Sequence, residues 1–502
     1  MILAVALPES FRQFTTSIRE LLGLHFGWFY LIVAFLCVVL SVIVIFHPMG
    51  KIRLGEPNSK PEYSTFSWIA MLFSAGMGIG LVFYGAAEPL SHYAVMAPEA
   101  SLYSQQAMLD ALKYSFFHYG LSAWAVYGMV ALAIAYFKYR KHEVPTISST
   151  LKPIFGEHAK GKIGHVADAL TIFATVVGVA TSLGLGAVQI NGGLHYLFGI
   201  TESINIQIII IAIATILFLT SAVSGIDKGV KILSDINIIL AIILMIFAIA
   251  IGPSLNIANF FTEGIGAYVS DFIRMSFRTA ASGTLAQQEW VQSWTVFYWA
   301  WWISWSPFVG VFIAKISKGR TIREFLTYIL VVPSVFSFVW FSIFGSLAMN
   351  VASPDNPVIN LPIDQMLFGV FNQYPLAIIL SVIALILVFI YFITSADSAT
   401  VVLAMLSENG SENPSNKIKI TWGIVLATVA SILLINGGLD ALQNILIITA
   451  FPFSIILMLI VASVFKELIY EKDKMGLSVD PKRQPEIGKP FKSYEYQEMY
   501  EE

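Results

Sequence analysis

The sequence predicts an all-α polytopic membrane protein, and three observations support that fold class. Of the 502 residues, 57% are hydrophobic and only 12% are charged, whereas soluble proteins carry roughly 25% charged residues. The mean hydropathy is +0.75. Apolar stretches of about 20 residues recur along the chain, and each is long enough to cross a bilayer as a helix.

The composition also excludes several functional classes. No paired carboxylates, Ser/His set or metal-ligand spacing suggests an active site, so we expect no catalytic residues and no enzyme activity. A net charge of −3 gives no reason to expect nucleic acid as a partner. The single cysteine, Cys37, rules out an internal disulfide and a cysteine-based metal cluster. The expected partners are the lipid bilayer and a small molecule, without an organic cofactor.

Eleven stretches are predicted to cross the membrane. They lie at about 26–46, 64–87, 112–137, 166–190, 206–224, 232–252, 291–315, 324–349, 376–401, 417–435 and 441–465. The apolar part of residues 1–25 is too short to span and lacks the basic start of a signal peptide. Residues 256–290 mix apolar and polar side chains, including Arg274 and Arg278, which is typical of an amphipathic segment at the bilayer surface.

Lysine and arginine alternate between the two predicted sides of the membrane. The loops after the odd-numbered stretches are basic, whereas the intervening loops are nearly bare, apart from Arg274, Arg278 and Lys113. Basic loops stay in the cytoplasm. The sequence therefore predicts a multi-pass protein of the cell membrane with its carboxyl end in the cytoplasm and its amino end outside.

The second stretch contains glycines on alternate residues, Gly76, Gly78 and Gly80. Each costs a helix about 1 kcal/mol relative to alanine. Unwound backbone at membrane depth is tolerated only where it is buried in protein or lines a cavity. We interpret the motif as a helix break beside a cavity; the alternative is close packing of two helices through small residues.

The seventh stretch is unusually rich in tryptophan, with Trp294, Trp299, Trp301, Trp302 and Trp305. At helical spacing Phe297, Trp301, Trp305 and Phe308 share one stripe. Tryptophan normally gathers at the lipid–water interfaces, so this density indicates either an aromatic wall around an internal ligand or a Trp-rich packing face. Stacked indole faces suit a cation without hydrogen-bond donors, such as a quaternary ammonium.

A proline in the same stretch predicts a second helix break. Pro307 lacks a backbone N–H, so the carbonyl of Ile303 loses its helical partner, and Ser304 and Ser306 flank the position with spare hydroxyls. The two predicted breaks lie five spans apart. Inverted-repeat transporters carry two interrupted helices in corresponding positions, with the binding site between them at the membrane midplane.

The ninth stretch carries two adjacent hydroxyls, Thr394 and Ser395, one turn after Tyr391. Together with carbonyls freed at a helix break they could ligate a hard cation such as Na⁺. The alternative is back-bonding of both hydroxyls to the preceding turn. Asp397 is a functional candidate because it lies within a span, although a capping role near the inner end would also account for it.

Two motifs resemble the betaine/choline/carnitine transporter family. One is Gly76-Met-Gly-Ile-Gly80 followed by Tyr84-Gly and Glu88-Pro-Leu, and the other is the run from Trp294 to Trp302. Residues 50–55 and 316–324 add to the likeness, which covers about 26–466. The resemblance implies a LeuT-like core of 5+5 inverted repeats, alternating access, a homotrimer and a sodium-coupled carrier of the glycine betaine/ectoine type.

The resemblance also implies functional residues. The substrate ammonium would lie in an aromatic box of Tyr119, Trp124, Tyr127 and Trp302. Trp301, Trp305 and Phe297 would line the path, and the substrate carboxylate would meet the backbone from Ala75 through Gly76 and Met77 to Gly78. One Na⁺ site would comprise Ser74, Met77, Tyr391, Thr394 and Ser395, and a second would involve Thr175 and Phe308.

The chain departs from the family pattern in four ways. The family's usual first helix is expected to be missing before residues 1–25, and the tail is short and mixed in charge. Tyr119 stands where tryptophan is usual, and Val179 where glycine betaine carriers have threonine in the second sodium site. Gly80, where proton-coupled choline carriers have aspartate, and the absence of lysine and arginine from 166–190 both favour sodium coupling.

These observations predict a secondary transporter that imports a zwitterionic compatible solute, glycine betaine or a related betaine or ectoine, by Na⁺ symport. A proton-coupled choline transporter is the alternative within the class, and a channel is the alternative outside it. The predicted organisation is an N-terminal segment with one peripheral span, two inverted repeats separated by a surface segment, and a cytoplasmic tail, at 1–63, 64–252, 253–290, 291–465 and 466–502.

Overall fold

The computed structural model describes residues 4, 6–76, 78–224 and 227–477, without the side chains of 73–77 and 225–231. Within these ranges the regular structure is helical apart from one isolated bridge between Arg53 and Thr321. The main helices are α1 (Pro8–Phe46), α2 (Thr65–Gly76), α3 (Ile79–Leu90), α4 (Gln105–Tyr119), α5 (Leu121–Arg140), α6 (Lys162–Phe198), α7 (Ile204–Ser224), α8 (Asp227–Ile251), α9 (Ser254–Ser276), α10 (Leu285–Trp290), α11 (Phe297–Ile316), α12 (Ile322–Val351), α13 (Met366–Phe371), α14 (Ala377–Ser407), α15 (Asn416–Ile435) and α16 (Gly438–Lys474).

The fold class predicted from hydropathy is confirmed. In the described part of the chain ten helical stretches are long and apolar enough to cross a membrane. They correspond to ten of the eleven predicted spans, and the remaining one, at 64–87, is the pair α2 and α3. Helix α9 lies in the segment predicted to rest on the bilayer surface. The boundaries of the two inverted repeats stay a prediction.

Three elements differ from the prediction. Helix α1 runs without interruption from Pro8, so the amphipathic residues before 26 extend the first span instead of forming a separate segment. The third span consists of α4 and α5, divided at Gly120, where an added Cβ would lie 2.4 Å from the carbonyl oxygen of Phe116. The final helix continues to Lys474, past the start of the predicted tail; residues 478–502 lie outside the described chain.

The helices divide into buried central ones and lipid-facing outer ones. In the most apolar 18-residue window, 94% of residues are buried in α10–α11 and in α4–α5, but only 28% in α7. Helix α11 packs chiefly against α5, α16 and α6. Side chains in the outer helices can face lipid without cost, so the sequence signals of function are expected in the central group.

The loops after the first, third and seventh spans meet on one face of the molecule. The Leu54 amide donates to the Arg320 carbonyl over 2.8 Å. The buried Arg140 guanidinium pairs with Glu471 and donates to the Gly55 carbonyl over 2.8 Å. Several basic loops that the charge pattern assigned to one side of the membrane therefore lie together.

Candidate functional site: an aromatic cavity beside a helix break

A glycine forms the break between α2 and α3. Gly78 is extended, with φ −137° and ψ −165°, and it begins α3 without a side-chain cap. The predicted interruption of the second span is therefore confirmed. The first N–H groups of a helix have no intrahelical partners and carry partial positive charge. Gly78, Gly80 and Leu81 line a narrow internal cavity, so this helix start opens into it.

Small residues allow the Trp-rich helix α11 to approach the break. An added Cβ on Gly80 would lie 2.8 Å from Cη2 of Trp301, and one on Gly78 would lie 3.3 Å from Cη2 of Trp305. On α6, a Cβ at Gly178 would lie 2.9 Å from Cβ of Ser304. The glycines therefore both open the backbone and make room for indole rings.

The four residues of the predicted aromatic box come together around this cavity. Tyr119 and Tyr127 present their rings edge-on to Trp302, with centroids 5.3 Å and 6.0 Å from it. Trp124 packs edge-on against Tyr127 at 5.6 Å. Trp301 and Trp305 also line the cavity from α11. These six side chains come from α4, α5 and α11. The break at Gly120 separates Tyr119, at the end of α4, from Trp124 and Tyr127 in α5.

The indole N–H groups of the three cavity tryptophans on α11 are bonded to protein. Trp301 donates to Ser182 Oγ over 3.1 Å, and Trp305 donates to the Gly178 carbonyl over 2.9 Å. Trp302 donates to the His118 carbonyl over 2.8 Å. These contacts fix the rings and leave their π faces as the surface available to a ligand. Such a surface attracts a cation and offers no acceptor for a hydrogen-bond donor.

The two box tyrosines differ in their hydroxyl groups. The Tyr119 hydroxyl donates to the Gly80 carbonyl over 3.0 Å, which joins α4 to the first turn of α3. The buried Tyr127 hydroxyl has no hydrogen-bond partner among the described residues. It is therefore a polar group of the box that remains available to a ligand.

Phe297 does not line the cavity, although the aromatic stripe predicted along α11 is present. Ring centroids are 5.5 Å apart for Phe297 and Trp301, 6.4 Å for Trp301 and Trp305, and 5.5 Å for Trp305 and Phe308. Phe297 also contacts Tyr84 of α3 at 6.4 Å. It continues the stripe away from the cavity and packs against the far part of α3.

The second predicted break is wrong, since α11 continues through Pro307. The reason is the neighbouring serine: Ser306 Oγ donates to the Ile303 carbonyl over 2.8 Å and replaces the missing backbone N–H. Ser304, also buried, has no partner for its hydroxyl in the described chain. The irregular geometry of this span lies earlier, in a π-helical turn at Val291–Val296.

The residues proposed for the first sodium site are only partly described. Met77 lies outside the described residues, as do the side chains of Ser74 and Ala75, while the backbone of Gly76 ends α2. Thr394 Oγ1 donates to the Ile390 carbonyl over 3.0 Å and lies 3.4 Å from the Tyr391 carbonyl. This is the back-bonding that was the alternative to cation binding.

Helix α14 nevertheless lies beside the helix break. Gly186 of α6 sits between Phe392 and Ile79: an added Cβ there would lie 2.6 Å from Cδ2 of Phe392 and 2.8 Å from Cδ1 of Ile79. The turn of α14 that bears Tyr391 and half-buried Ser395 is therefore close to the start of α3. A cation between the two elements stays a prediction.

The register between α6 and α11 bears on the second predicted site. Ser182 meets Trp301 and Gly178 meets Trp305, so the two helices run antiparallel. One turn further along both helices, the same register brings Thr175 to the level of Phe308. The Thr175 hydroxyl donates to the Thr171 carbonyl over 2.8 Å.

Sequence reasoning missed a buried polar cluster next to the box. Glu88, His92 and His118 are fully buried and meet one another, with Nδ1 of His118 2.7 Å from Oε1 of Glu88. The Tyr298 hydroxyl donates to the other carboxylate oxygen. His118 is packed, as predicted, but the 26-residue gap between the histidines gave no local signal of their contact.

Comparisons with known proteins point to one family. The family model described as "BCCT, betaine/carnitine/choline family transporter" matches residues 1–473. The chain is 51% identical over 487 residues to the glycine betaine transporter OpuD of Bacillus subtilis, covering 96% of this chain and 95% of that protein. It is 42% identical over 481 residues to the ectoine/hydroxyectoine transporter of Virgibacillus pantothenticus, covering 94% of both chains.

A more distant relative is named for a different substrate, choline. The osmo-dependent choline transporter BetT2 of Acinetobacter baylyi is 37% identical over 473 residues, which are 92% of this chain and 68% of that protein. These relatives are named as transporters, in agreement with the expectation that the chain is not an enzyme. The glycine-broken helix, the aromatic cavity and these full-length matches together establish that the chain belongs to the betaine/carnitine/choline family of membrane transporters.

Proposed function

We propose that this transporter imports a zwitterionic compatible solute, first the quaternary ammonium compound glycine betaine and next a related betaine or ectoine, together with Na⁺ by alternating access. The observation that carries the proposal is the aromatic cavity, in which the indole N–H groups of Trp301, Trp302 and Trp305 are bonded to protein. A trimethylammonium group has no hydrogen to donate and gains from π faces alone.

The start of α3 supports the zwitterionic character of the solute. Its uncapped N–H groups open into the same cavity as the aromatic box. A helix start attracts a carboxylate through its free N–H groups and its dipole. A molecule with an ammonium group at one end and a carboxylate at the other satisfies both halves of the cavity.

Sodium coupling is supported by the hydroxyls of α14, by the lack of a carboxylate at position 80 and by the lack of lysine and arginine in residues 166–190. Thr394 and Ser395 lie in the turn of α14 beside the helix break. Gly80 carries no carboxylate, and residues 166–190 contain no lysine or arginine to replace a cation. Na⁺ prefers several oxygen ligands, by analogy with other hard cations, and backbone carbonyls at a break are suited to complete the set.

Choline is the second candidate substrate, since a relative is named for choline transport and the box would accept its ammonium equally well. A channel is disfavoured because the cavity is narrow and enclosed by the rings of Trp301, Trp302 and Trp305. We further propose that the protein works in the cell membrane as a homotrimer, with the face bearing Arg53, Arg140 and Arg320 and the carboxyl end in the cytoplasm.

Uptake into liposomes tests the proposal. Purified protein is expected to accumulate radiolabelled glycine betaine against its gradient only when a Na⁺ gradient is imposed, with proton and potassium gradients clamped. Choline and ectoine serve as competitors in the same assay. Uptake driven equally well by a proton gradient without Na⁺ would refute symport with sodium, and non-saturating flux would favour a channel.

Two substitutions test the sodium site itself. Thr394→Val and Ser395→Ala each remove one oxygen from a site in low dielectric, so both are expected to raise the Na⁺ concentration for half-maximal uptake severalfold. Substrate affinity should recover as Na⁺ rises, because the two affinities are reciprocally coupled. Thr400→Val is the matched control: its hydroxyl donates to the Ala396 carbonyl in the same helix. If both variants show the sodium dependence of the wild type, Thr394 and Ser395 are not ligands of the Na⁺ site.

A further inference from the structure

A carboxylate lies behind the aromatic box. Glu88, in the last turn of α3, is fully buried, and no described lysine or arginine comes within 4.0 Å of it. Its ion-pair contacts are with His92 and His118, which are charged only when protonated. A charge at such a depth is expensive unless neutral donors satisfy its oxygens.

Donor groups surround both carboxylate oxygens. The Tyr298 hydroxyl donates to Oε2. Oε1 lies 2.7 Å from Nδ1 of His118 and 3.4 Å from Nε2 of His92. Since Nδ1 of His92 accepts from the Trp290 indole over 3.1 Å, the proton of a neutral His92 ring is on Nε2, the nitrogen nearer to Glu88, although this nitrogen makes no hydrogen bond with a described residue.

The second histidine is held in a matching way. Nε2 of His118 lies 3.0 Å from Thr295 Oγ1. When that hydroxyl donates, a neutral His118 carries its proton on Nδ1 and directs it at Glu88. His92, His118 and Tyr298 form a cage around Glu88. This cage can hold a carboxylate with both rings neutral, and the cluster then has a net charge of one negative unit.

Two members of this cage also touch the aromatic box. The His118 carbonyl accepts the Trp302 indole N–H over 2.8 Å. The Tyr298 ring lies 5.7 Å from that of Trp302, nearly parallel to it, and 5.1 Å from that of Tyr119. One layer of rings thus separates Glu88 from the ligand space. Glu88 lies about 15 Å along α3 from Gly78, at ~1.5 Å per residue, and so is remote from the helix start.

Another charged group near the cage is already paired. The Arg278 guanidinium lies over the Trp290 ring, 5.3 Å from its centroid, and its Nε is 3.3 Å from Oε1 of Glu99. Its charge is therefore largely compensated by a carboxylate that is not part of the cage.

We propose that Glu88 is an ionised counter-charge, which attracts the substrate ammonium through the aromatic box and makes the site select a cationic headgroup over an uncharged one of the same shape. The inference rests on the proposed function, because it requires an ammonium ligand. At an effective dielectric of about 20, two unit charges separated by one layer of rings attract strongly enough to change affinity by a factor on the order of ten.

The test compares two ligands of one shape on the full-length protein at saturating Na⁺. Glycine betaine is titrated directly by tryptophan fluorescence. 3,3-Dimethylbutyrate, in which carbon replaces the ammonium nitrogen, is measured by its inhibition of radiolabelled glycine betaine binding. Glu88→Gln should weaken glycine betaine on the order of tenfold without weakening the carbon analogue. The preference for glycine betaine, expressed as the dissociation constant of 3,3-dimethylbutyrate divided by that of glycine betaine, should therefore fall on the order of tenfold.

Controls separate charge from positioning. Tyr298→Phe keeps the ring and removes one donor, so it should change both constants by a similar factor and leave their ratio near the wild-type value. Glu88→Met is a second neutral variant if Glu88→Gln does not fold, since apolar groups of similar volume can replace buried ions.

Each other outcome overturns the inference. An unchanged ratio in a folded neutral variant would mean that Glu88 only positions its neighbours. A stoichiometric divalent cation in the purified wild type, lost in Glu88→Gln, would mean that the cluster is not negatively charged. If the wild type binds glycine betaine but the variant shows the same ratio of dissociation constants, only the counter-charge is refuted. If the wild type binds no quaternary ammonium compound, the proposed function is refuted as well.

Discussion

The glycine-broken pair α2/α3 and the Trp-rich helix α11 meet at one cavity, and they respond differently to similar disruptions. The pair opens at Gly78, whereas α11 stays helical through Pro307 because Ser306 donates to the carbonyl that the proline leaves free. Glycine has no side chain with which to repair the backbone. Helix α11 therefore survives its proline because a hydroxyl is available to the freed carbonyl.

Because of this difference, the pair α2/α3 and helix α11 contribute different groups to the cavity. The open pair contributes backbone to the cavity, through Gly78, Gly80 and Leu81, while the intact helix contributes side chains, through Trp301, Trp302 and Trp305. An intact helix holds several rings at fixed spacing, which a loop could not do at the same cost in conformational entropy.

The largest effect is expected from putting a side chain on the open pair. Gly80→Ala would place a methyl group 2.8 Å from Cη2 of Trp301, so this ring, which lines the cavity, must shift. Overpacking of this kind costs about 1–3 kcal/mol, and we expect glycine betaine affinity to fall roughly 10- to 100-fold.

The control for that change is Gly266→Ala in α9, where an added Cβ meets nothing within 4 Å. Both variants are titrated with glycine betaine by tryptophan fluorescence after a check of thermal stability. Wild-type affinity in Gly80→Ala would show that α11 can retreat from the break, which contradicts the close-packed arrangement.

A smaller loss is expected from removing one ring of the intact helix. Trp302→Leu deletes a π face worth about 0.5–2 kcal/mol to a cation, so the dissociation constant for glycine betaine should rise about 10-fold, or more if the site is fully dry. Trp28→Leu, a change at a position that is 48% exposed, should leave affinity unaltered. If the folded Trp302 variant and the wild type bind glycine betaine with equal affinity, the ammonium group does not bind in the aromatic box.

The smallest effect on glycine betaine affinity is expected from the hydrogen bond that repairs α11, because its loss acts on stability. Ser306→Ala leaves the buried Ile303 carbonyl without a partner and should destabilise the protein by about 1–3 kcal/mol. Ser304→Ala, two residues away, removes a hydroxyl without a described partner and should be nearly neutral.

A double-mutant cycle sharpens that last prediction. In a Pro307→Ala background the backbone N–H is restored, so Ser306→Ala should cost much less than it does alone. Thermal unfolding in detergent measures all four proteins. Equal costs in both backgrounds would show that the serine stabilises α11 by another route.

Several features of the site were predictable because they depend on nearby residues. The glycines at 76, 78 and 80 predict a break from local backbone cost, and the spacing of Phe297, Trp301 and Trp305 predicts a common stripe. The resemblance added the residues from α4 and α5, which local pattern alone could not connect with α11. The break at Gly120 was missed, because a single glycine in an apolar stretch is common in membrane helices.

The sequence by itself determined the membrane-spanning helices, the glycine break and the aromatic stripe, because each follows from composition and periodicity over a few turns. The structure was needed to show that Pro307 does not break its helix, because the Ser306 rotamer that supplies the missing donor is not encoded in the sequence pattern. The tertiary structure alone brought His118 to Glu88 and His92, which are four residues apart, behind the box. Contacts between residues distant in the chain depend on how helices pack, and no local pattern encodes that arrangement.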